Sequence, residues 1–252
     1  GTVSEYAWER TSWIALAAAA SCALTSFIAA SGGTVVYRPA VHHQEPPPIA
    51  ARRVAMRDPR VAVPTFARFY LAPSYTSAKD GEAYALQVMA YVLAGSGDTS
   101  RLGLALVKGS KIATSISSWY DGDGLDDRMV GLYSQPADGK SAAELEAAVD
   151  AELAKFLAEG PSEEEIARAK SVLVANAIYA RDSQEGTANY YGEGLAEGLT
   201  VADLDAWADR IQAVTADQVK AVAAKYLTPA RSVTGILEPE AAPAEPAAGG
   251  QP

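Results

Sequence analysis

Histidine is almost absent from this chain: His42 and His43 are the only two in 252 residues. They are neighbours, and His42-His-Gln-Glu45 runs straight into Pro46, Pro47 and Pro48. A proline run cannot continue a helix, and the residue before each proline is pushed to extended geometry, so two imidazoles one helical turn apart cannot form here. The pair is therefore expected to belong to an exposed linker rather than to a metal site. A Ser/His/Asp triad is excluded with it, since its histidine would have to come from that linker and no Gly-x-Ser-x-Gly elbow exists. Cysteine is scarcer still. Cys22 stands alone, so no internal disulfide is available, and its place in an apolar run is the wrong setting for a thiolate nucleophile. Basic residues are in deficit: 21 Lys and Arg against 31 Asp and Glu give a net charge of −10. No basic stripe interleaved with aromatics appears, which argues against nucleic acid as a partner.

A long apolar run occurs once, from Trp13 to Ala30, and it ends in Ala29-Ala-Ser-Gly-Gly33. Ser21, Cys22, Thr25 and Ser26 interrupt it, which makes it marginal for spanning a bilayer, and no stable membrane insertion of the folded part is expected. Two readings stay open for residues 1–33: a secretory leader with small residues suited to cleavage near Ser31, or a non-native or replaced start. The leader reading would put the mature chain in a periplasm or outside the cell. Residues 34–50 read as a proline-rich linker. Residues 51–238 are long enough for one core, and the Ala/Pro/Glu tail 239–252 has the composition of a disordered end.

Inside the folded part, Arg53 to Arg57 and Thr65 to Ala72 are strand-like, the second alternating Ala67, Phe69, Leu71 against Phe66, Arg68, Tyr70. Leu86, Met89, Ala90 and Leu93 keep helical spacing up to Ala94-Gly-Ser-Gly97, a C-terminal turn rather than a phosphate loop. Ile112 to Tyr120 and Arg128 to Ser134 form a hairpin through Asp121-Gly-Asp-Gly124. That stretch lacks the Glu at the twelfth position which a calcium loop needs. Four capping boxes or close relatives follow, at Ser141/Glu144, Ser162/Glu165, Thr200/Asp203 and Thr215/Gln218, each before an amphipathic run. Their stripes are Leu145, Val149, Leu153, Phe156; Ile166, Ala169, Leu173, Ala177; Leu204, Trp207, Ala208, Ile211; and Val219, Val222, Ala223, Tyr226. Strands, then helices, then a closing strand from Ser232 to Leu237 predict an α+β fold.

Five pieces stand out along this stretch: Thr99-Ser-Arg-Leu102; Ser162-Glu-Glu-Glu-Ile-Ala-Arg-Ala-Lys170; Asp182-Ser183 with Tyr190-Tyr-Gly192; Val214-Thr-Ala-Asp-Gln-Val219 with Tyr226-Leu227; and Arg231-Ser-Val-Thr-Gly-Ile-Leu-Glu-Pro239. With them, residues 33–240 resemble one half of a pitrilysin/insulinase-type zinc metallopeptidase, of the mitochondrial-processing-peptidase kind. The resemblance implies a mixed, mainly antiparallel sheet backed by helices on one side and facing a chamber between two clam-like halves. It implies that zinc belongs to a missing N-terminal half, whose His-x-x-Glu-His motif supplies two ligands and the general base for a metal-bound water. The other half of such enzymes carries an Arg and a Tyr, seven residues apart, that hold the substrate backbone. Laying Leu104-Ala-Leu-Val-Lys-Gly-Ser-Lys-Ile-Ala-Thr-Ser115 on that pattern puts Val107 where the Arg belongs and Thr114 where the Tyr belongs. Valine has no donor, whereas a guanidinium offers a planar fork of charge-assisted hydrogen bonds. By resemblance this is the C-terminal half of a zinc-type subunit, inactive alone, without a catalytic residue or metal ligand of its own. It would contact extended peptides and depend on a second homologous subunit that carries the Arg and Tyr. The alternative is a catalytically inactive structural subunit of a larger complex.

Overall fold

The computed structural model describes residues 48–240. The apolar run Trp13–Ala30, the pair His42–His43, and all but the first two residues of the tail lie outside the described residues, and so does most of the linker. Five strands form one sheet: β1 (Arg52–Asp58), β2 (Thr65–Ala72), β3 (Ala113–Asp121), β4 (Arg128–Pro136) and β5 (Ser232–Pro239). Their order is β1-β5-β2-β4-β3. Only β1 and β5 run parallel; the other neighbours are antiparallel. The fold is thus α+β, as the order of elements predicts, with the mixed, mainly antiparallel sheet that the resemblance implies.

The helices are α1 (Glu82–Ala90), α2 (Ala142–Glu159), α3 (Glu163–Ala180), α4 (Gln184–Ala196), α5 (Val201–Asp205), α6 (Trp207–Ala213) and α7 (Ala216–Tyr226). All four capping boxes form. Ser141, Ser162, Thr200 and Thr215 each accept the N–H three residues on, and the side chain there reaches back to the cap. Each box satisfies two backbone donors that a helix start would otherwise leave unpaired. The stripes of α2 and α7 are buried throughout, whereas that of α3 is buried at Ile166 and Ala169 and loosens towards Ala177.

Three details differ from the sequence reading. The run after Thr200 is broken at Ala206 into α5 and α6. The Leu204 carbonyl, which an unbroken helix would use internally, accepts a hydrogen bond from Tyr190 Oη at 2.8 Å. The helix α1 does not stop cleanly but widens into a π turn over Tyr91–Gly95 before a short turn at Gly97–Thr99. The third is α4, which periodicity does not announce because Gly186, Gly192 and Gly194 lower its helix propensity. At Gly194 the glycine serves packing: a Cβ there would stand 2.6 Å from the Leu204 side chain.

The helices α1, α2 and α7 lie on one face of the sheet. The alternation in β2 resolves with Phe66, Arg68, Tyr70 and Ala72 under them, joined by Val130, Leu132, Ile116 and Ile236 from neighbouring strands. An arginine therefore sits in the buried stripe of the central strand. Arg68 donates to Thr234 Oγ1 on β5 at 2.9 Å and to Glu146 Oε1 on α2 at 3.0 Å, and it also pairs with Asp150. Glu146 in turn accepts from Arg53 of β1 at 3.2 Å. Removing one member of a buried ion-pair set leaves uncompensated charge and costs several kcal/mol, whereas apolar replacement of a whole set can be neutral. Arg68→Met is accordingly expected to lose about 3 kcal/mol. The double change Arg68→Met with Glu146→Leu should recover most of the loss, since Asp150 is half-exposed and can hydrate. Urea denaturation of the three proteins measures both steps.

Candidate functional site

The described residues contain neither histidine nor cysteine. Among them no group of three His, Cys, Asp or Glu side chains is placed to hold a metal ion. They do not fit a zinc site, and no catalytic step through zinc is assigned to them. No helix among them is long and apolar enough to cross a membrane.

The hairpin Asp121-Gly-Asp-Gly124 is tied down by protein groups. Arg128 donates to Asp121 at 2.5 Å, Thr76 Oγ1 to the Gly124 carbonyl at 2.7 Å, and Ser77 Oγ to Asp127 at 2.8 Å. Beneath it Tyr75 meets Tyr120 edge on and Tyr84 at a tilt, and Trp207 Nε1 donates to Tyr75 Oη at 3.1 Å. Asp123 keeps an exposed edge, yet loss of hydration at the tip pushes its carboxyl upward, and the charges of Asp121 and Glu193 add to this. Glu197 is raised for the same first reason, with Asp123 next. These acids strain the tip rather than form a ligand cage.

Val107 lies in the wide-turn segment Gly103–Gly109 and packs half-buried against the core. Thr114 is exposed at the register shift that opens β3, where its hydroxyl donates to the Gln135 carbonyl at 3.3 Å. Neither position offers a charged or aromatic group. The stretch Thr99–Leu102 works as structure. Arg101 donates to the Gly160 carbonyl between α2 and α3 at 2.9 Å, pairs with Glu159 and Glu165, and covers the Phe156 ring at 5.3 Å. Two stretches singled out in the sequence, Thr99–Leu102 and Ser162–Lys170, are thereby brought together at Arg101 and Glu165.

What remains is the face of the sheet away from the helices. By register, Phe69 lies between Val233 and Gly131, Gly131 beside Trp119, and Leu71 beside Met129. The Trp119 indole covers Gly131, where a Cβ would come within 2.5 Å of the ring, and meets Phe69 edge on with centroids 6.1 Å apart. Trp119 is 40% exposed, and Met129 and Val233 are similarly open. Periodicity alone did not mark this face, because the alternation of β2 has aromatic residues in both stripes.

The fold recurs in solved structures. A protease from Helicobacter pylori superposes with a TM-score of 0.72 at 20% identity, over 82% of this chain and 48% of that one. An inactive peptidase domain from Bordetella parapertussis matches with a TM-score of 0.65 at 22% identity, over 77% and 98% of the two chains. A chain of Complex III2 from Candida albicans matches with a TM-score of 0.63 at 17% identity, over 75% and 46%. At such identities the likeness is one of fold. Comparison with curated proteins gives no match. The family model described as the peptidase M16 inactive domain matches residues 29–173. The chain belongs to this family. It spans about half the length of the Helicobacter protein, at 48%. Membership agrees, at the level of the peptidase family, with the resemblance carried by the five pieces above. As an M16 inactive domain the chain has β1, β2, β3 and β4, together with α1, α2 and the start of α3, inside the matched region.

The strained acids at the hairpin tip of this M16 domain set a pH test. The Asp123 carboxyl lies above its ordinary value of 3.8 in the folded state, so the folded form holds its proton more tightly than the unfolded one. Its contribution to stability is full below that ordinary value and is lost as pH rises through the raised one. Asp123→Asn should therefore melt higher than the parent at neutral pH, with the difference disappearing at pH 3. Thermal melts followed by circular dichroism at both pH values decide this.

Proposed function

We propose that this domain is the non-catalytic C-terminal wall of a zinc-dependent peptidase, lining the chamber with its open sheet face and contacting extended peptide substrates. The observation that carries the reading is the apolar surface of exposed Trp119, Met129 and Val233 around half-buried Phe69, on the side of the sheet that no described helix covers. An extended chain presents alternate side chains to such a surface, and a rigid aromatic platform gives contact area at little entropic cost. With Val107 and Thr114 at the positions of the family's Arg and Tyr, the substrate clamp falls to a second homologous subunit, and the metal to a zinc-bearing half. The chain's own part is to bind and position.

The likeness to a chain of Complex III2 favours a second reading, a structural subunit whose open face is an assembly surface. The full chain alone is expected to retain no stoichiometric zinc after dialysis and to hydrolyse no peptide. Joined to a zinc-bearing half and mixed with a homologous subunit carrying Arg and Tyr, it should cleave unfolded peptides. In that assembly Trp119→Ser should raise KM several-fold with little change in kcat, because a platform binds ground and transition states alike. A zinc-bearing subunit that cleaves alone, at a rate neither the partner nor Trp119 alters, overturns the first reading. A stable complex without peptidase activity selects the second.

A further inference from the structure

Among the described residues, the strand β1 ends the sheet, with β5 on one side and a row of main-chain N–H and C=O groups that no other described strand pairs on the other. Its ladder is regular from Arg52 opposite Val233 to Asp58 opposite Pro239, and it contains neither bulge nor proline. Six of its seven residues are exposed, with Val54 at 56% and Met56 at 58%. The opposite edge strand, β3, differs, since the helical segments Tyr91–Gly95 and Gly103–Gly109 pack against it. Sheets normally blunt a free edge by shortening it, kinking it, or placing proline or charge along it. On β1 only charge is present, and two of its charges are turned back. Arg53 pairs with Glu146 and Arg57 with Glu238, which leaves the apolar middle at Val54 and Met56 open.

The sign of that charge is unusual for this chain. Arg52, Arg53, Arg57 and Arg60 fall within nine residues whose only acid is Asp58, in a protein of net charge −10. We propose that the outer edge of β1 is a docking site for an extended acidic segment of another protein, added as a sixth strand. Main-chain bonds would supply the affinity, as in strand addition generally, and alternate side chains would supply the choice of partner. By alternation Arg52 stands on the open face and Arg53 and Arg57 on the helix face, so acidic side chains on either face of the incoming strand meet a guanidinium. The rest of this acidic surface repels such a segment, which confines it to β1. A second copy of the chain fits badly, because antiparallel pairing of two β1 strands sets Arg57 near Arg52 or Arg53 of the other, and like charges opposed across strands destabilise a pair. The split of the arginines between two faces also makes a poor track for a phosphate backbone. This edge is a separate surface from the proposed chamber wall and needs no zinc-bearing half.

The test uses the full chain and short, capped, fluorescein-labelled peptides followed by anisotropy. A peptide alternating Glu and Val should bind at least tenfold more tightly than its Lys and Val counterpart, and salt should weaken it. Methylating alternate amide nitrogens of the acidic peptide should abolish binding although its charge is intact. Arg52→Glu together with Arg57→Glu should cancel the preference while leaving the melting temperature within a few degrees; if that variant fails to fold, the methylated peptide on the unchanged protein decides. The proposal is overturned if both peptides bind equally or neither binds, or if the methylated peptide binds as well as its parent. It is likewise overturned if a single-stranded oligonucleotide displaces the acidic peptide more readily than unlabelled peptide does. Binding that appears only after residues 1–47 are removed would assign the edge to the chain's own segment, and would equally overturn docking in trans.

Discussion

One buried guanidinium holds the layers of this domain together. Arg68 stands in the middle strand of the sheet, facing the helices, in a stripe whose other members are Phe66, Tyr70 and Ala72. A charge in that place loses most of its hydration, and only a full set of partners makes it tolerable. The partners come from different parts of the chain: Thr234 from the last strand, Glu146 and Asp150 from α2. Through Glu146 the set extends to Arg53 on β1. Closing it demands that first strand, last strand and backing helix all be in register with β2, so one polar cluster specifies an arrangement that apolar packing alone would accept in several versions.

That dependence shows where the sequence is legible and where it is not. The helix starts were written in local chemistry, because a capping box needs only a hydroxyl and an acid or amide three residues on, and all four form. The strands were legible within about two residues, the usual fraying of boundary assignment. The choice between the two faces of β2 was not legible. Phe66, Arg68, Tyr70 and Ala67, Phe69, Leu71 are near equals as candidates for a core face, and Arg68 weighs against the stripe that is in fact buried. Only its partners, more than 75 positions away in sequence, reverse that weight. The helix α4 was hidden for a related reason. Its glycines look like breakers when read locally, but Gly194 is set by the approach of Leu204, a tertiary requirement.

The candidate site was legible mainly as a list of things the chain does not carry. Val107 and Thr114 could be named from a motif, and their places, one half-buried and one at a strand opening, offer no group that could hold a peptide backbone by charge. The stretch Thr99–Leu102, which helped to suggest the family, owes its form to Arg101 at the junction of α2 and α3. A motif can thus report ancestry through a packing residue and say nothing about chemistry. The open face of Phe69 and Trp119 could not be seen at all until the strand order was known, since its residues come from four strands that are neighbours in the sheet but not all consecutive in the sequence.

The same sheet therefore divides its work between its two faces and its edge. The helix face turns its apolar residues to the core and places its buried charge, Arg68, where three elements must meet. The open face keeps aromatic and aliphatic side chains in water, a cost that folding alone does not explain, because burying them would add roughly 25 cal/mol for each Å² covered. Single exposed apolar residues are ordinary on protein surfaces, but a contiguous row resting on a glycine kept bare for an indole is the mark of a surface used for binding. On the function proposed above, the exposed row and the clamp positions Val107 and Thr114 are two aspects of one division of labour, in which this domain presents a surface and another supplies the reaction.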